Sequence, residues 1–463
     1  MPSRQDQLHS YQFTVQRAVA ALVMRETDPA RSPFRRLAGA GLASVLVAAI
    51  GLGGSALYGL FAGGGTKWRD TAAVIVEKES GARFVYRQDK LHPVLNYASA
   101  LLITGAEQPR TVLVSRRSIE GVPRGLPLGI ADAPDSLPAP GRLATDGWTV
   151  CSVAGGAEGE RPAPRSALLI GLAARGGRPL RDDGLLVRHP DGTLYLLWHQ
   201  RRHLVRDADR VLAALAATRE RAVPVAPALL NTLAVGGDLA APPVPGLGER
   251  SRRVPGATVG DVYLVRNTGG GRQYAVAERD GLAGITEFQA SLLLARTRQG
   301  TPEQLTLGRF AELPKRPDRV PRGPTAPPPS PPRLATVDGD GVCARTGDDG
   351  GAREVRLGAA VPDLAGAAPT GATAGDVPLA DHVLVEPGRG AVVESVAAPG
   401  AAGGTVCVVT DLGRRYVLAD RGVLPMLGYR DVRPVRLPAG LVSLVPAGSP
   451  LDPAAARAVA APG

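Results

Sequence analysis

The longest hydrophobic pattern in the chain runs from Leu37 to Ala62, 26 residues without a charged side chain, bracketed by Arg35-Arg36 and by Lys67-Trp68-Arg69. A helix rises about 1.5 Å per residue, so this run spans roughly 39 Å, enough for a hydrocarbon core of about 30 Å with some tilt. The pattern predicts one transmembrane helix over 37–62. In the leader 1–36, Leu8, Tyr11, Val15, Val19 and Leu22 recur at helical spacing, and Ser3 with Asp6 offers a capping-box start. That stripe predicts an amphipathic helix that docks on a cytoplasmic partner or on the inner membrane surface. Within the anchor, Gly51, Ser55 and Gly59 recur every four residues, a small-residue stripe that admits close approach of another helix.

Beyond the anchor the period changes to short β-branched runs. Four of them share a turn ending in glycine and an aromatic residue three positions later. They are Val74 to Lys78 with Gly81 and Phe84, Leu185 to His189 with Gly192 and Tyr195, Val262 to Asn267 with Gly271 and Tyr274, and Cys407 to Asp411 with Gly413 and Tyr416. A turn glycine reaches positive φ without steric cost and the flanks alternate as strands do, so each unit predicts a β-hairpin. Helical periodicity follows at Val94 to Ile103, Val205 to Ala217 and Ile285 to Ala295. A lone hairpin is marginal, so each unit is expected to be a ββα repeat with the helix on the hairpin's apolar face. The first and fourth units also match a proline, Leu91-His92-Pro93-Val94 beside Val423-Leu424-Pro425-Met426.

Between these units the chain repeats itself. Val122-Pro123-Arg124-Gly125, then Arg142-Leu143-Ala144-Thr145, lead to Cys151, and Val320-Pro321-Arg322-Gly323, then Arg333-Leu334-Ala335-Thr336, lead in the same order to Cys343. Short alternating runs such as Trp148 to Val153 predict a β-rich centre made of two related halves. The fold class expected is α+β: a single N-terminal transmembrane helix, then an elongated extracytoplasmic domain of four ββα-type repeats around a β-rich core with pseudo-twofold symmetry. The expected boundaries are 1–36 leader, 37–62 transmembrane helix, 63–110 repeat one, 111–175 first core part, 176–250 repeat two and connector, 251–300 repeat three, 301–405 second core part, and 406–463 repeat four with the tail. Leu313 to Pro332 is proline-rich and reads as a stiff polyproline connector, and the Ala/Pro-rich tail after Ala447 is expected to fray.

Charge sets the orientation. The leader carries Arg4, Arg17, Arg25, Arg31, Arg35 and Arg36 against Asp6, Glu26 and Asp28, which places the N-terminus in the cytoplasm and the bulk of the chain outside. Equivalent places in two related halves then put Cys151 and Cys343 near one axis, in a compartment where disulfides persist, and they are expected to pair. Cys407, in a predicted strand, is expected to be a buried thiol. The net charge of +11 is nearly all arginine, lysine occurring only at Lys67, Lys78, Lys90 and Lys315. The basic residues are scattered and no nucleic-acid motif accompanies them, so nucleic acid is not expected as a partner.

The leader Arg4-Gln5-Asp6-Gln7-Leu8 with Phe13 and Arg17, the anchor, Val122 to Gly125 with Ala133-Pro134-Asp135, and the end Leu427-Gly428-Tyr429 to Val435 with Leu451-Asp452-Pro453 resemble the EccB family, membrane components of actinobacterial type VII (ESX) secretion systems. The resemblance runs over essentially the whole chain. It implies a single-span subunit with four outer repeats around a core closed by one disulfide, Cys151 and Cys343 matching the family's pair and Cys407 departing from its pattern. It further implies assembly with an EccC-type motor ATPase, EccD, EccE and other EccB copies, in contact with membrane lipid.

Members of that family are sometimes described as ATPases. A P-loop needs Gly-x4-Gly-Lys-Ser/Thr, and the nearest string, Gly63-Gly64-Gly65-Thr66-Lys67, has the wrong spacing. No cofactor is expected, and ATP enters only through the resemblance. His199 and His203 have metal-like spacing, but they follow a predicted strand in a turn and lack a placed third ligand, so a solvated or locally hydrogen-bonded pair is expected rather than zinc. Asp348-Asp349 reads as solvated loop charge. The sequence thus favours a non-catalytic scaffold over an extracytoplasmic ATPase or a receptor for the cell wall.

Overall fold

A computed structural model describes the chain apart from residues 1–2, 25–32, 63–65, 156–162, 298, 348–349, 365–366, 368, 371–372, 375–376, 399–400 and 461–463. Its residues fall into two compact units, one of 1–91 and 110–124, the other of 92–109 and 125–463.

The first unit begins with helices α1 (Arg4–Met24) and α2 (Pro33–Ala62). The Asp6 carboxylate accepts from the Ser3 backbone N–H at 3.0 Å, and the Leu8, Tyr11, Phe13, Val15 and Leu22 side chains are exposed. Among the described residues no helix is long and apolar enough to cross a membrane; in α2 only residues 38–54 have described side chains. Strands β1 (Ala73–Glu77), β2 (Arg83–Arg87) and β3 (Lys90–Pro93) follow. The segment that follows holds α3 (Tyr97–Thr104), which belongs to the second unit, and the first unit resumes with β4 (Arg110–Val114) and α4 (Arg116–Ile119). The sheet order is β3-β2-β1-β4, with β4 parallel to β1. Trp68, Ile75, Phe84, Leu91, Val114 and Ile119 form its core.

The second unit contains the central strands β5 (Thr149–Val153), β6 (Arg165–Ile170) and β7 (Arg178–Pro179). Next come β8 (Leu185–Arg188), β9 (Leu194–Trp198), β10 (Arg201–Leu204), α5 (Ala208–Ala214), β11 (Val223–Pro224), α6 (Pro227–Thr232) and β12 (Ala234–Val235). A third series runs β13 (Val262–Arg266), β14 (Arg272–Glu278), β15 (Gly281–Ile285), α7 (Glu287–Arg296), β16 (Glu303–Leu305), α8 (Leu307–Glu312) and β17 (Lys315–Arg316). The centre resumes with β18 (Gly341–Thr346), β19 (Ala352–Leu357), the small pair β20 (Thr373–Ala374) and β21 (Val377–Pro378), and β22 (His382–Val385). The chain closes with β23 (Ala391–Val396), β24 (Thr405–Val409), β25 (Arg415–Val417), α9 (Val423–Met426), β26 (Val435–Pro438), α10 (Ala439–Val442) and α11 (Pro453–Ala456).

The ββα expectation is too short. Sheets β11-β8-β9-β10-β12 and β16-β13-β14-β15-β17 share one order: three antiparallel strands flanked by two parallel strands, each delivered by a helix. The other two sheets, β4-β1-β2-β3 and β26-β23-β24-β25, have the same order and end in isolated parallel bridges, among them Leu91 to Arg124 and Arg415 to Ala447. Two more edges per repeat satisfy backbone groups that a bare hairpin leaves to solvent. The third strand lies in view of the sequence but its turn does not: Gln88-Asp89 (φ 50° and 59°) and His199-Gln200 (φ 45° and 58°) make two-residue turns with left-handed backbone from residues other than glycine.

Four further expectations change. Gly413 turns β24 into β25, so Tyr416 lies on the third strand of its sheet, whereas Phe84, Tyr195 and Tyr274 lie on the second. Pro93 stands in strand β3 and Pro425 in helix α9, so that matched proline does not mark one register. The two VPRG segments are not equivalent in place either. The Pro123 carbonyl accepts from the Leu91 N–H, while in the third sheet the corresponding acceptor to Leu282 is Pro314, seven residues before Pro321. The tail is packed: Leu451 is fully buried and bridged to Leu418, the Asp452 carboxylate caps α11, and α11 packs on α3.

Candidate functional site

The centre of the second unit is the sheet β22-β6-β5-β18-β19-β7. Its middle pair, β5 and β18, is antiparallel, with Cys151 opposite Cys343, and the two are joined by a disulfide with Cα atoms 4.0 Å apart. On either side β6 and β19 pair antiparallel, so the inner four strands repeat about the sulfur bridge. The outer two do not, since β22 is parallel to β6 and β7 antiparallel to β19. Trp148, fully buried, donates its backbone N–H to Thr346 Oγ1 at 3.0 Å and accepts from the Thr346 N–H at 2.9 Å, which closes the strand ends.

The two halves interlock through their RLAT segments. Leu143 of the first half bridges in parallel to Gly390, at the start of the fourth sheet, and Leu334 of the second half bridges in parallel to Gly184, at the start of the second sheet. The Ala144 N–H donates to the Gly390 carbonyl at 2.7 Å, and Ala335 donates to Gly184 at 2.8 Å. Helix contacts follow the same exchange. α3 meets α9 and α7 meets α5, while α6 and α10 pack on each other beneath one apolar core shared with β5, β6 and β18. Each half is therefore completed by segments of the other, and the central core draws side chains from both.

A ring-on-glycine contact recurs in three of the repeats. A Cβ on Gly236 would stand 2.3 Å from the His203 ring, and one on Gly448 would stand 2.2 Å from Tyr416. Gly125 has the same relation to His92, at 2.2 Å. His92 Nδ1 lies 3.0 Å from the Leu126 carbonyl and His203 Nδ1 2.8 Å from the Gly237 carbonyl, so each ring pins the segment that closes its sheet. His203 is wholly buried and its Nε2 has no partner among the described residues; desolvation lowers its pKa below 6.5. The carbonyl at Nδ1 fixes the proton there and leaves Nε2 as a bare acceptor. His199 lies instead at the exposed turn, 2.9 Å from Asp182.

The remaining predicted positions are structural. Gly81, Gly192 and Gly413 have positive φ (73°, 91° and 67°), but in the third hairpin that conformation falls on Gly270 (81°) rather than Gly271. Phe84 packs in the first unit's core under the Arg124 guanidinium, 4.4 Å from the ring centroid. Tyr195 borders the central core, Tyr274 borders the third sheet's core and bonds Glu287 at 3.3 Å, and Tyr416 is buried. A Cβ on Gly51 would meet nothing within 4 Å, and the surroundings of Ser55 and Gly59 lie outside the described residues, as do Gly63-Gly64-Gly65 and Asp348-Asp349. Cys407 is a buried free thiol whose pKa burial raises.

Sequence reasoning missed three buried carboxylates. Glu77 meets Arg116 at 2.7 Å, Glu278 meets Arg319 at 2.6 Å and Arg316 at 3.8 Å, and Glu394 meets Arg421 at 2.5 Å and Arg436 at 3.6 Å. Each ties a central strand of its sheet to a later segment, and a single glutamate inside a β-branched run was the signal available. Among the described residues no group of His, Cys, Asp and Glu is disposed to hold a metal. A cavity of about 700 Å³ lies between Leu172, Val383, Leu384, Leu412 and Arg414 and is mainly apolar.

These features define a class: an interlocked, sulfur-bridged β scaffold whose recurring geometry lies in how its repeats are held. The chain belongs to the family described as "Type VII secretion system ESX-1, transport TM domain B", whose model matches residues 1–461. It is 31% identical to the "ESX-3 secretion system ATPase EccB3" of Mycolicibacterium smegmatis over 96% of this chain and 88% of that protein. With the "ESX-2 secretion system ATPase EccB2" of Mycobacterium tuberculosis it shares 35% identity over 50% of this chain and 47% of that one. In structure it resembles a chain of an intact ESX-5 inner membrane complex, with a TM-score of 0.68 at 25% identity, covering 100% of this chain and 96% of the other. It also resembles the EccB3 dimer from the ESX-3 core complex, with a TM-score of 0.64 at 30% identity, covering 83% and 100%.

Proposed function

We propose that this chain is a structural membrane subunit of a type VII (ESX) protein secretion complex. It assembles with an EccC-type motor ATPase, EccD, EccE and further EccB copies, and makes subunit contacts outside the cytoplasmic membrane during protein export. The observation that carries this reading is the likeness over the full chain to a subunit of an ESX-5 inner membrane complex. In this reading 37–62 is the single anchor, the N-terminus is cytoplasmic, α1 meets a partner or lipid, and four repeats make the outer domain. The interlocked halves suit a part that transmits load between neighbours, because separating them requires breaking strands as well as the sulfur bridge.

The test is detergent extraction and native electrophoresis from cells carrying the whole secretion apparatus. Comigration with the other membrane components is expected, and recovery only as a free monomer would overturn the proposal. The relatives' names make ATP hydrolysis the competing activity. Purified chain that turns over ATP, with loss on a point substitution, would establish that activity here.

A further inference from the structure

One end of the first unit's sheet gathers cations beside the segment that leaves α2. A single helical turn, Thr66–Arg69, packs on β1 and β4 and leads through Asp70 into β1. Trp68 pins it there, buried in the core of that sheet and edge to face with Tyr86, ring centroids 5.5 Å apart. Arg110 of β4 stands opposite Ala73, the first residue of β1. Because β2 is antiparallel to β1, Arg87 and Lys90, on either side of the Gln88-Asp89 turn, come to that same end. With Lys67 and Arg69 it carries five cations against two carboxylates, Asp70 and Asp89. Asp70 is held by Arg110 at 2.8 Å, and Asp89 accepts from the Tyr86 hydroxyl at 3.0 Å. Arg69 and Lys90 are exposed and Arg87 is half-buried, and none of the three has an ion-pair partner among the described residues.

We infer that this end of the first sheet rests on anionic phospholipid headgroups at the outer face of the membrane, through Lys67, Arg69, Arg87 and Lys90. Four peptide steps separate Ala62, the last residue of α2, from Thr66, so the turn lies within about 15 Å of that helix end. Lysine and arginine are attracted to an anionic lipid surface over about a Debye length, and each is worth about fivefold in affinity there. Lys78 and Arg117 are cations too, but they follow the far ends of β1 and β4, five residues of strand or about 16 Å away. The tether favours a lipid phosphate over a free one, because it holds the cations at the headgroups and makes the contact intramolecular. This rests on the reading of 37–62 as the anchor.

The experiment uses the full chain with an NBD label on Thr71→Cys, an exposed position just before β1, in nanodiscs of phosphatidylcholine alone or with phosphatidylglycerol added. Cys407 is buried and the other two cysteines are bonded, so the label goes to one thiol. Emission is expected to rise several-fold in the anionic discs and to return to the zwitterionic value in about 1 M salt, where the Debye length is about 3 Å. Arg87→Glu with Lys90→Glu should abolish the rise, and Lys78→Glu with Arg117→Glu, the same change of net charge at the far end, should keep it. Equal emission of the wild type in both discs would overturn the inference, and so would loss with both pairs, which would reduce the effect to net charge. Inorganic phosphate that reproduces the rise in zwitterionic discs would assign the cations to a free anion and overturn it as well. Loss of native-complex yield in R87E/K90E, without any response of the wild type to anionic discs, would assign them to an acidic protein surface instead. Chain that stays soluble without detergent and does not enter discs would refute the anchor reading. Sedimentation with vesicles of the anionic composition then decides the patch by itself, pelleting that R87E/K90E abolishes supporting it and no pelleting overturning it.

Discussion

Cys151 and Cys343 stand opposite each other at the middle of an antiparallel register that runs from Thr149–Arg345 to Val153–Gly341. The two residues are 192 apart in sequence, so the bridge joins the halves at the one register position where equivalent residues meet. Any other pairing of the three cysteines would place the bond off that centre. The same position is where a slip of either strand would cost most, because both faces of the middle strands are buried.

Replacing both partners, Cys151→Ala and Cys343→Ala, is expected to destabilise the chain by up to about 5 kcal/mol, the loop-entropy value for a closure of this length. Thermal melting with and without reductant measures it, and the double variant should be insensitive to reductant. Non-reducing peptide mapping should recover the 151–343 link with Cys407 unlinked, and Cys407 should react with alkylating reagent only after unfolding. A link from Cys407 to either other cysteine would refute the central register.

The packed tail gives a second outcome. Leu451 is fully buried and hydrogen-bonded through its backbone to Val417. Leu451→Ala should therefore cost about 2–5 kcal/mol, as large-to-small changes in cores do. Limited proteolysis should cut the variant, and not the wild type, between the fourth sheet and α11. Unchanged melting and cleavage would mean that the tail contributes nothing to the fold.

His203 predicts a pH dependence. Burial holds its pKa below 6.5, so the unfolded chain takes up a proton that the folded chain refuses. Its contribution is complete above about pH 6.5 and declines as pH falls from there to the lowered folded pKa, at no more than about 1.4 kcal/mol per pH unit. Near the ring, Arg201 and His199 oppose protonation while Asp238 favours it. His203→Asn retains a donor for the Gly237 carbonyl and does not titrate. Its melting temperature should be lower at pH 8 but should fall less than the wild type's between pH 6.5 and 5, and parallel profiles would exclude His203 as the source.

What the sequence made legible follows from which signals are local. The first hairpin turns, the helices α3, α5 and α7, and the central strand around Cys151 all rest on short periodic runs, and they appear close to where they were expected. The third strands escaped because Gln88-Asp89 and His199-Gln200 adopt a backbone usually signalled by glycine or asparagine. The flanking parallel strands escaped for another reason: β12 and β17 are two residues long and exist only because a sheet edge receives them. The RLAT and cysteine matches marked true equivalence, at offsets of 191 and 192, whereas the VPRG match, at 198, set side by side segments that occupy different places. The crossing of halves at Gly184 and Gly390 had no signal, since a single glycine before a strand is common.

The glycine that carries a ring offers the sharpest test of the repeat geometry. A Cβ on Gly448 would stand 2.2 Å from Tyr416 Cε1, and the Gly448 N–H donates to the Arg415 carbonyl at 2.8 Å, so the backbone there cannot withdraw without losing its edge. Gly448→Ala should cost about 1–3 kcal/mol through overpacking. Tyr416→Ala alone should be destabilising by removal of a buried ring, about 3–5 kcal/mol. With the ring gone, the added methyl has space, so the double variant should be less destabilised than the sum of the singles by more than about 1 kcal/mol in a double-mutant cycle. Chemical denaturation of the four proteins measures it. Strict additivity would show that the glycine is required by its backbone alone and that the ring contact does not hold the edge of the fourth sheet.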